Sequence, residues 1–291
     1  MSSVAVIGPG RMGLALAHAL QRSGEFVEVT VYGRRPEAPS HPIFREVDAR
    51  YVFGLEPLRA DCLAVLLAVP EGALPEVAHS LAAQGPAPGG CSAFHLSGAL
   101  PTDVLAPLHA AGYQAGVFHP WIIAGRSISG ADRLHGACIG VTASPEATRT
   151  ARDLASMMGA TVVTIPANRR AVADAAIAMV ATSLPTILGT AVPLLESAGL
   201  EHDEALSALV PLVRSVLAEV ESSGVSGALG AALERVDAEA LGVHLRALDG
   251  EERRLYAWLG RQAIQRAEGA MEPEERGALV AHFQRVSGEG T

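Results

Sequence analysis

Residues 4–13 read Val4-Ala5-Val6-Ile7-Gly8-Pro9-Gly10-Arg11-Met12-Gly13, and the architecture of the chain follows from them. Four apolar, mostly β-branched residues predict a strand, and Leu14, Ala17 and Leu20 recur at helical spacing after the last glycine. Between them lies G-x-G-x-x-G, in which each glycine has a physical task. Gly8 permits a tight turn, Gly10 lets a pyrophosphate approach the backbone, and Gly13 lets the helix lie close on the strand. Free N–H groups at the helix start, from Arg11 and Met12 onward, bind the anion. The segment therefore reads as the strand, loop and helix of a dinucleotide site.

The same alternation continues downstream. β-rich runs predict strands at 4–7, 27–32, 51–53, 63–69, 92–96, 114–118, 137–142 and 161–165. Helical patterns fit between them at 11–23, 74–84, 101–111 and 145–158. After Pro166 the β signal ends, and the rest reads as helices broken at Gly199, near residues 224–230 and at Gly250. The expected fold is α/β: a Rossmann-like, doubly wound parallel sheet over residues 1–166, then an all-helical domain over 167–291. A helical region of this size has limited core of its own, which points to a homodimer.

Cofactor choice is read at the end of the second strand, where sites for NAD carry a carboxylate for the ribose hydroxyls. Here the chain has Tyr32-Gly33-Arg34-Arg35-Pro36. Two guanidinium forks suit a 2′-phosphate, so the expected cofactor is NADP (NADPH). Val69 and Pro70, after the fourth strand, are expected under the ribose and nicotinamide, and Glu71 beside them suits a helix start.

Composition removes several alternatives. The formal net charge is -9 and the arginines are scattered, so nothing neutralises a nucleic-acid backbone. All 22 basic residues are arginine, which excludes Schiff-base aldolases, pyridoxal-phosphate enzymes and P-loop nucleotidases, all dependent on a lysine. Cys62, Cys91 and Cys138 are widely spaced and form no C-x-x-C, which reads as reduced thiols in a cytoplasmic protein without a structural metal site. The first residues carry neither the basic region nor the cleavage site of a signal peptide. Residues 175–195 are uncharged and long enough to span a bilayer, but Ala, Thr, Ser and Gly dominate, with Pro185 and Pro193 inside. A helix buried within the protein or at a subunit interface fits this stretch better than a membrane span.

Three further segments carry a resemblance: His95-Leu96-Ser97-Gly98-Ala99-Leu100, Phe118-His119-Pro120, and Gly227-Ala228-Leu229 leading to Arg235, Asp237 and His244-Leu245. With the glycine loop they make the chain resemble the 6-phosphogluconate dehydrogenase-like superfamily. That superfamily contains pyrroline-5-carboxylate reductase, prephenate dehydrogenase and the β-hydroxyacid dehydrogenases. The N-terminal part resembles the deazaflavin-dependent NADP oxidoreductase domain. The whole chain resembles a bacterial group in which a Rossmann-like domain precedes a helical domain of unknown function. The chain departs from that group at Gly230-Ala231-Ala232, where Thr-Gly-Pro is usual, and at Ala173-Asp174-Ala175-Ala176, where Tyr-His-Ala-Ala is usual. Imine reductases of similar architecture often place an aspartate at the latter position. The resemblance implies a reductase fold and leaves the substrate open.

Hydride transfer to a carbonyl or imine needs a proton donor beside the acceptor. Asp174 is the first candidate, as the one charge at the head of a long apolar helix, where desolvation raises a carboxyl pKa. The alternative is a carboxylate that satisfies the helix dipole or pairs with Arg169 or Arg170. Ser97 and His119, at the ends of consecutive strands, form a second set in which a hydroxyl bonded to an imidazole orients or protonates a substrate oxygen; a purely backbone-capping histidine is the alternative. Prephenate dehydrogenases carry a similar His-Pro motif, but Trp121 and Ile122 replace the residues that follow it there. Arg169 and Arg170 can clamp an anion, Asp237 reads as a helix N-cap, and His244 faces either the packing or the cleft. The expected activity is an NADP-dependent oxidoreductase acting on a small C=O or C=N compound between the domains. A non-catalytic NADP-binding regulator or scaffold is the rival.

Overall fold

The computed structural model describes residues 2–45, 49–125, 130–233, 238–267, 277 and 279–280; Arg235 and Asp237 lie outside them. Among the described residues eight strands form one sheet in the order β3-β2-β1-β4-β5-β6-β7-β8. They are β1 (Ser2–Ile7), β2 (Phe26–Gly33), β3 (Arg50–Phe53), β4 (Cys62–Leu67), β5 (Ser92–His95), β6 (Gln114–Pro120), β7 (Cys138–Ala143) and β8 (Thr161–Thr164). All eight coincide with the expected strands to within a few residues.

Alternating side chains show why the sheet is covered on both faces. Val4, Val6, Ala64 and Leu66 enter one core, against α1 (Arg11–Arg22) and α4 (Pro145–Met157). Ala5, Ile7, Val65 and Leu67 enter the other, against α2 (Leu74–Ala82) and α3 (Ala106–Ala110). Burial on both faces explains the continuous apolar runs of β1 and β4. Cys62 and Cys91, far apart in sequence, meet in the second core as free thiols, and the hydrogen bond between them, with burial, pushes the Cys91 thiol up.

The sheet departs from the expected parallel arrangement at one pair. β7 runs antiparallel to β6, with His119 opposite Gly140, and β8 is parallel to β7. The described residues between β6 and β7 include the 3-10 turn Asp132–Leu134 and no α-helix. A parallel return needs a crossover helix, and without one the chain doubles back.

The described residues that follow form four long helices: α5 (Arg170–Ser197), α6 (His202–Leu233), α7 (Ala238–Ala247) and α8 (Gly250–Arg266). The expected breaks occur at Gly199, Gly224 and Gly250, each with positive φ. Two compact units divide between Ala181 and Thr182, inside α5, whereas the sheet ends before Pro166. Pro185 lacks the amide that would close the helical bond to Ala181, which weakens the helix at this point. In the second unit, Leu241, Leu245, Ala257 and Ile264 form a small core.

The region from Ala167 to Ser197 is long and apolar enough to cross a membrane, and little of it is buried within the chain. Val172, Met179 and Val180 are each about two-thirds exposed. Burial of this helix inside a single chain, one of the two settings expected from its sequence, is therefore not observed.

Candidate functional site

The turn from β1 into α1 follows the tasks assigned to its glycines. Gly8 has φ +107°, and a Cβ there would run into the Ala68 carbonyl at the end of β4. A Cβ on Gly13 would collide with the Gly8 carbonyl and the Ala68 side chain. Gly10 faces open space. It is the N-cap of α1 without a capping side chain, and no acidic residue stands in the first turn, so the helix's leading amides around Arg11 and Met12 are available to an anion. Since β1 lies between β2 and β4, this loop occupies the point where strand order reverses, the usual ligand crevice of an open α/β sheet.

Arg34 and Arg35 follow β2 with exposed side chains, and among the described residues neither pairs with a carboxylate. The Tyr51 hydroxyl donates to the Arg35 carbonyl at 2.7 Å and fixes the turn that presents them. Val69 and Pro70 lie just past β4, followed by a 3-10 turn, Glu71–Ala73, that leads into α2.

Farther along the same edge, the loop after β5 is held through its own polar groups. Ser97 Oγ accepts from the amides of Ala99 (3.2 Å) and Leu100 (3.0 Å) and donates to Glu71 Oε1 at 2.5 Å. The expected bond between Ser97 and His119 is not made among the described residues, because the hydroxyl proton is engaged by Glu71 and both lone pairs by backbone amides. His95, absent from the sequence candidates, supports this loop from below. Its Nδ1 accepts the Ser97 amide at 3.2 Å and its Nε2–H donates to the Pro101 carbonyl at 3.2 Å. Burial pushes its pKa down to about 4, consistent with a neutral ring of fixed tautomer.

Asp174 and His119 do come together. Asp174 Oδ1 lies 3.8 Å from His119 Nδ1, and both side chains are partly exposed. Burial lowers the His119 pKa, with Arg170 acting in the same direction and Asp174 opposing. A Cβ on Gly98 would strike both Asp174 Oδ1 and His119 Cε1, so only glycine lets the loop approach this pair. The antiparallel return of β7 contributes the floor: Gly140, opposite His119, makes room for the Trp121 indole. Gly98, His119, Trp121, Gly140, Ile165, Arg170, Ala173 and Asp174 line a shallow concavity within the first unit.

Of the two candidate clamping arginines, Arg169 is exposed and Arg170 is turned inward, where its guanidinium donates to the carbonyls of Ser97 (2.9 Å), Gly98 (2.6 Å) and Leu100 (3.2 Å). In the second unit His244 Nδ1 lies 2.8 Å from the Tyr256 hydroxyl and is exposed, a polar pairing rather than core packing. The sequence reading missed the roles of Glu71 and His95. The Ser-Gly-Ala-Leu turn was the available signal, since a serine at this point caps the following amides.

Strand order, glycine turn and switch point define a Rossmann-like domain followed by a helical unit. Residues 1–120 match the model of a Rossmann-like domain and residues 137–263 that of a domain of unknown function, DUF2520, so the chain joins these two domains. No curated protein matches it in sequence. Among solved structures, it is similar to a candidate NADP oxidoreductase of Bacteroides fragilis: 22% identity, TM-score 0.65, covering 91% of this chain and 98% of that one. It is also similar to a Plasmodium falciparum pyrroline carboxylate reductase with NADP bound: 13% identity, TM-score 0.60, covering 100% and 98%. A third likeness is to a reductive aminase of Aspergillus terreus in complex with NADPH and ethyl-5-oxohexanoate: 16% identity, TM-score 0.58, covering 100% and 95%. At these identities the likeness establishes the fold.

Proposed function

We propose that this chain is an NADP-dependent oxidoreductase that transfers a hydride to or from a small compound bearing C=O or C=N. The observation that carries this reading is the meeting of Asp174, His119 and Gly98 on the same sheet edge as the glycine turn. The NADP or NADPH named with two of the similar structures adds support.

Gly8, Gly10, Arg11, Met12 and Gly13 would hold the pyrophosphate, Arg34 and Arg35 the 2′-phosphate, and Val69 and Pro70 the nicotinamide side. A cofactor bound there supplies or accepts the hydride. The chain's own contribution is proton transfer and positioning. Asp174, partly open to solvent, is the group that gives a proton to the substrate nitrogen or oxygen in reduction and takes it back in oxidation. His119, whose pKa burial lowers, flanks the carboxyl; their 3.8 Å separation leaves its oxygens free to face a substrate atom. Trp121 and Ile165 give the concavity an apolar wall, while Ser97 shapes the loop.

The same reading extends to assembly. The exposed apolar surface of α5, including Val172, Met179 and Val180, is the surface we assign to a homodimer contact. The deciding experiment follows NADPH oxidation over a panel of cyclic imines, 2-oxo acids and aldehydes, with NADH in parallel. Turnover of at least one class, preferring NADPH, is expected. Tight NADPH binding with no turnover across the panel would replace this reading with a non-catalytic NADP-binding protein.

A further inference from the structure

Residues 97–100 are held from two sides. Their amides are satisfied locally: Ser97 N by His95, and Ala99 N and Leu100 N by the Ser97 hydroxyl. Their carbonyls are satisfied from a distant segment, because the Arg170 guanidinium reaches three of them at 2.6–3.2 Å. A fourth contact, to Thr142 Oγ1 at 3.5 Å, lies at the limit of a hydrogen bond.

Arg170 occupies an unusual position for a cation. It is the first residue of α5, where the helix dipole disfavours positive charge, and no acidic residue stands in that first turn. Among the described residues, no carboxylate oxygen lies within 4 Å of it. Burial pushes its pKa below the ordinary guanidinium value, with Asp174, one turn farther along the helix, opposing this. A partly buried cation in such a place is compensated by what its N–H groups reach, and here those are the carbonyls of one loop. All three carbonyls are reached through Nη2, so this arm of the guanidinium is committed to the loop.

We propose that Arg170 is a positioning residue: it pins the carbonyl side of residues 97–100 and thereby keeps Gly98 against Asp174 and His119. The proposal rests on the reading of Asp174 and His119 as the proton-handling pair. Its geometry is demanding, since the loop must come close enough that a single added methyl at Gly98 collides with both side chains.

The test uses the full chain with two readouts, amide exchange at residues 97–100 and NADPH-dependent turnover. R170A is expected to exchange these amides about tenfold faster or more and to lose roughly 10- to 100-fold in kcat, with KM for NADPH unchanged. Added ethylguanidinium should slow the exchange and recover part of the turnover, and R170K, which keeps the charge but not the fork, should fall between. Unchanged exchange in R170A overturns the proposal. So does a loss confined to the KM of carboxylated substrates, which would make Arg170 an anion clamp. Should R170A fail to fold, R170K decides by the same criteria. If the wild type turns over nothing, the oxidoreductase reading fails, while exchange with and without ethylguanidinium still decides the role of Arg170.

Discussion

Acidification should loosen the first unit through one side chain, His95. In the folded chain this ring is fully buried, accepting at Nδ1 and donating at Nε2, a combination open only to neutral imidazole. Its pKa is pushed from an ordinary 6.5 to about 4. Above pH 6.5 the folded and unfolded states are both neutral here, and the stabilisation is fully present. Between 6.5 and 4 only the unfolded chain takes up the proton, so stability falls as pH falls, by about 1.4 kcal/mol per pH unit. Below about 4 both states are protonated and the dependence flattens. Over the interval the loss attributable to this residue is roughly 3 kcal/mol. Urea unfolding at a series of pH values measures it, with Trp258→Phe leaving Trp121 as the tryptophan that reports on the first unit. His95→Asn keeps an acceptor for the Ser97 amide but leaves the Pro101 carbonyl without its donor, costing about 1–2 kcal/mol at neutral pH. Because the variant no longer titrates, its stability curve should meet that of the parent before the acid end of the range. Curves that stay parallel throughout would refute the reasoning, since other histidines would then account for any acid sensitivity.

Replacing Arg34 and Arg35 by serine should weaken NADPH binding by several kcal/mol at most, with each charge-assisted bond contributing about 1.5–3 kcal/mol, and leave NADH little changed; equal losses in a titration would contradict the assignment. Asp174→Asn is expected to lower turnover by roughly 10² to 10⁴ with NADPH affinity intact and one limb of the pH profile gone, and His119→Asn to be milder. The reverse ranking would move the proton to His119. Sedimentation should show a dimer at micromolar concentration that Met179→Glu and Val180→Glu together dissociate; a monomeric parent protein would remove α5 as the contact.

The sheet was legible in the sequence because both of its signals are local. Short β-branched runs mark strands whichever way they point, and Gly8, Gly10 and Gly13 mark a turn whose demands are set by backbone sterics alone. The direction of β7 was not legible, since it depends on whether a crossover helix forms between His119 and Cys138 rather than on the strand's own residues. At the site, Asp174 and His119 were each legible as candidates, one from the start of α5 and the other from a strand end, but that they meet was not. The partners of Ser97 and Arg170 did not, because a hydroxyl or a guanidinium bonds whatever acceptor tertiary packing brings nearest. For α5, a uniformly apolar composition specifies that a helix seeks cover but not what supplies it.

The tethers of residues 97–100 arise from the segment after β4, from β5 and from the head of α5, 26 and up to 73 residues away in the chain. This has a consequence for the order in which the protein assembles during synthesis. A nascent chain emerging as far as Pro166 has its whole sheet and its glycine turn, yet lacks the side chain that binds the loop's carbonyls, so that stretch of edge closes only after the first turn of α5 has been made. Dissection of the protein should respect the same sequence of events. A fragment ending where the sheet ends would be an unlatched unit, and one carried through Ala181 would retain the latch.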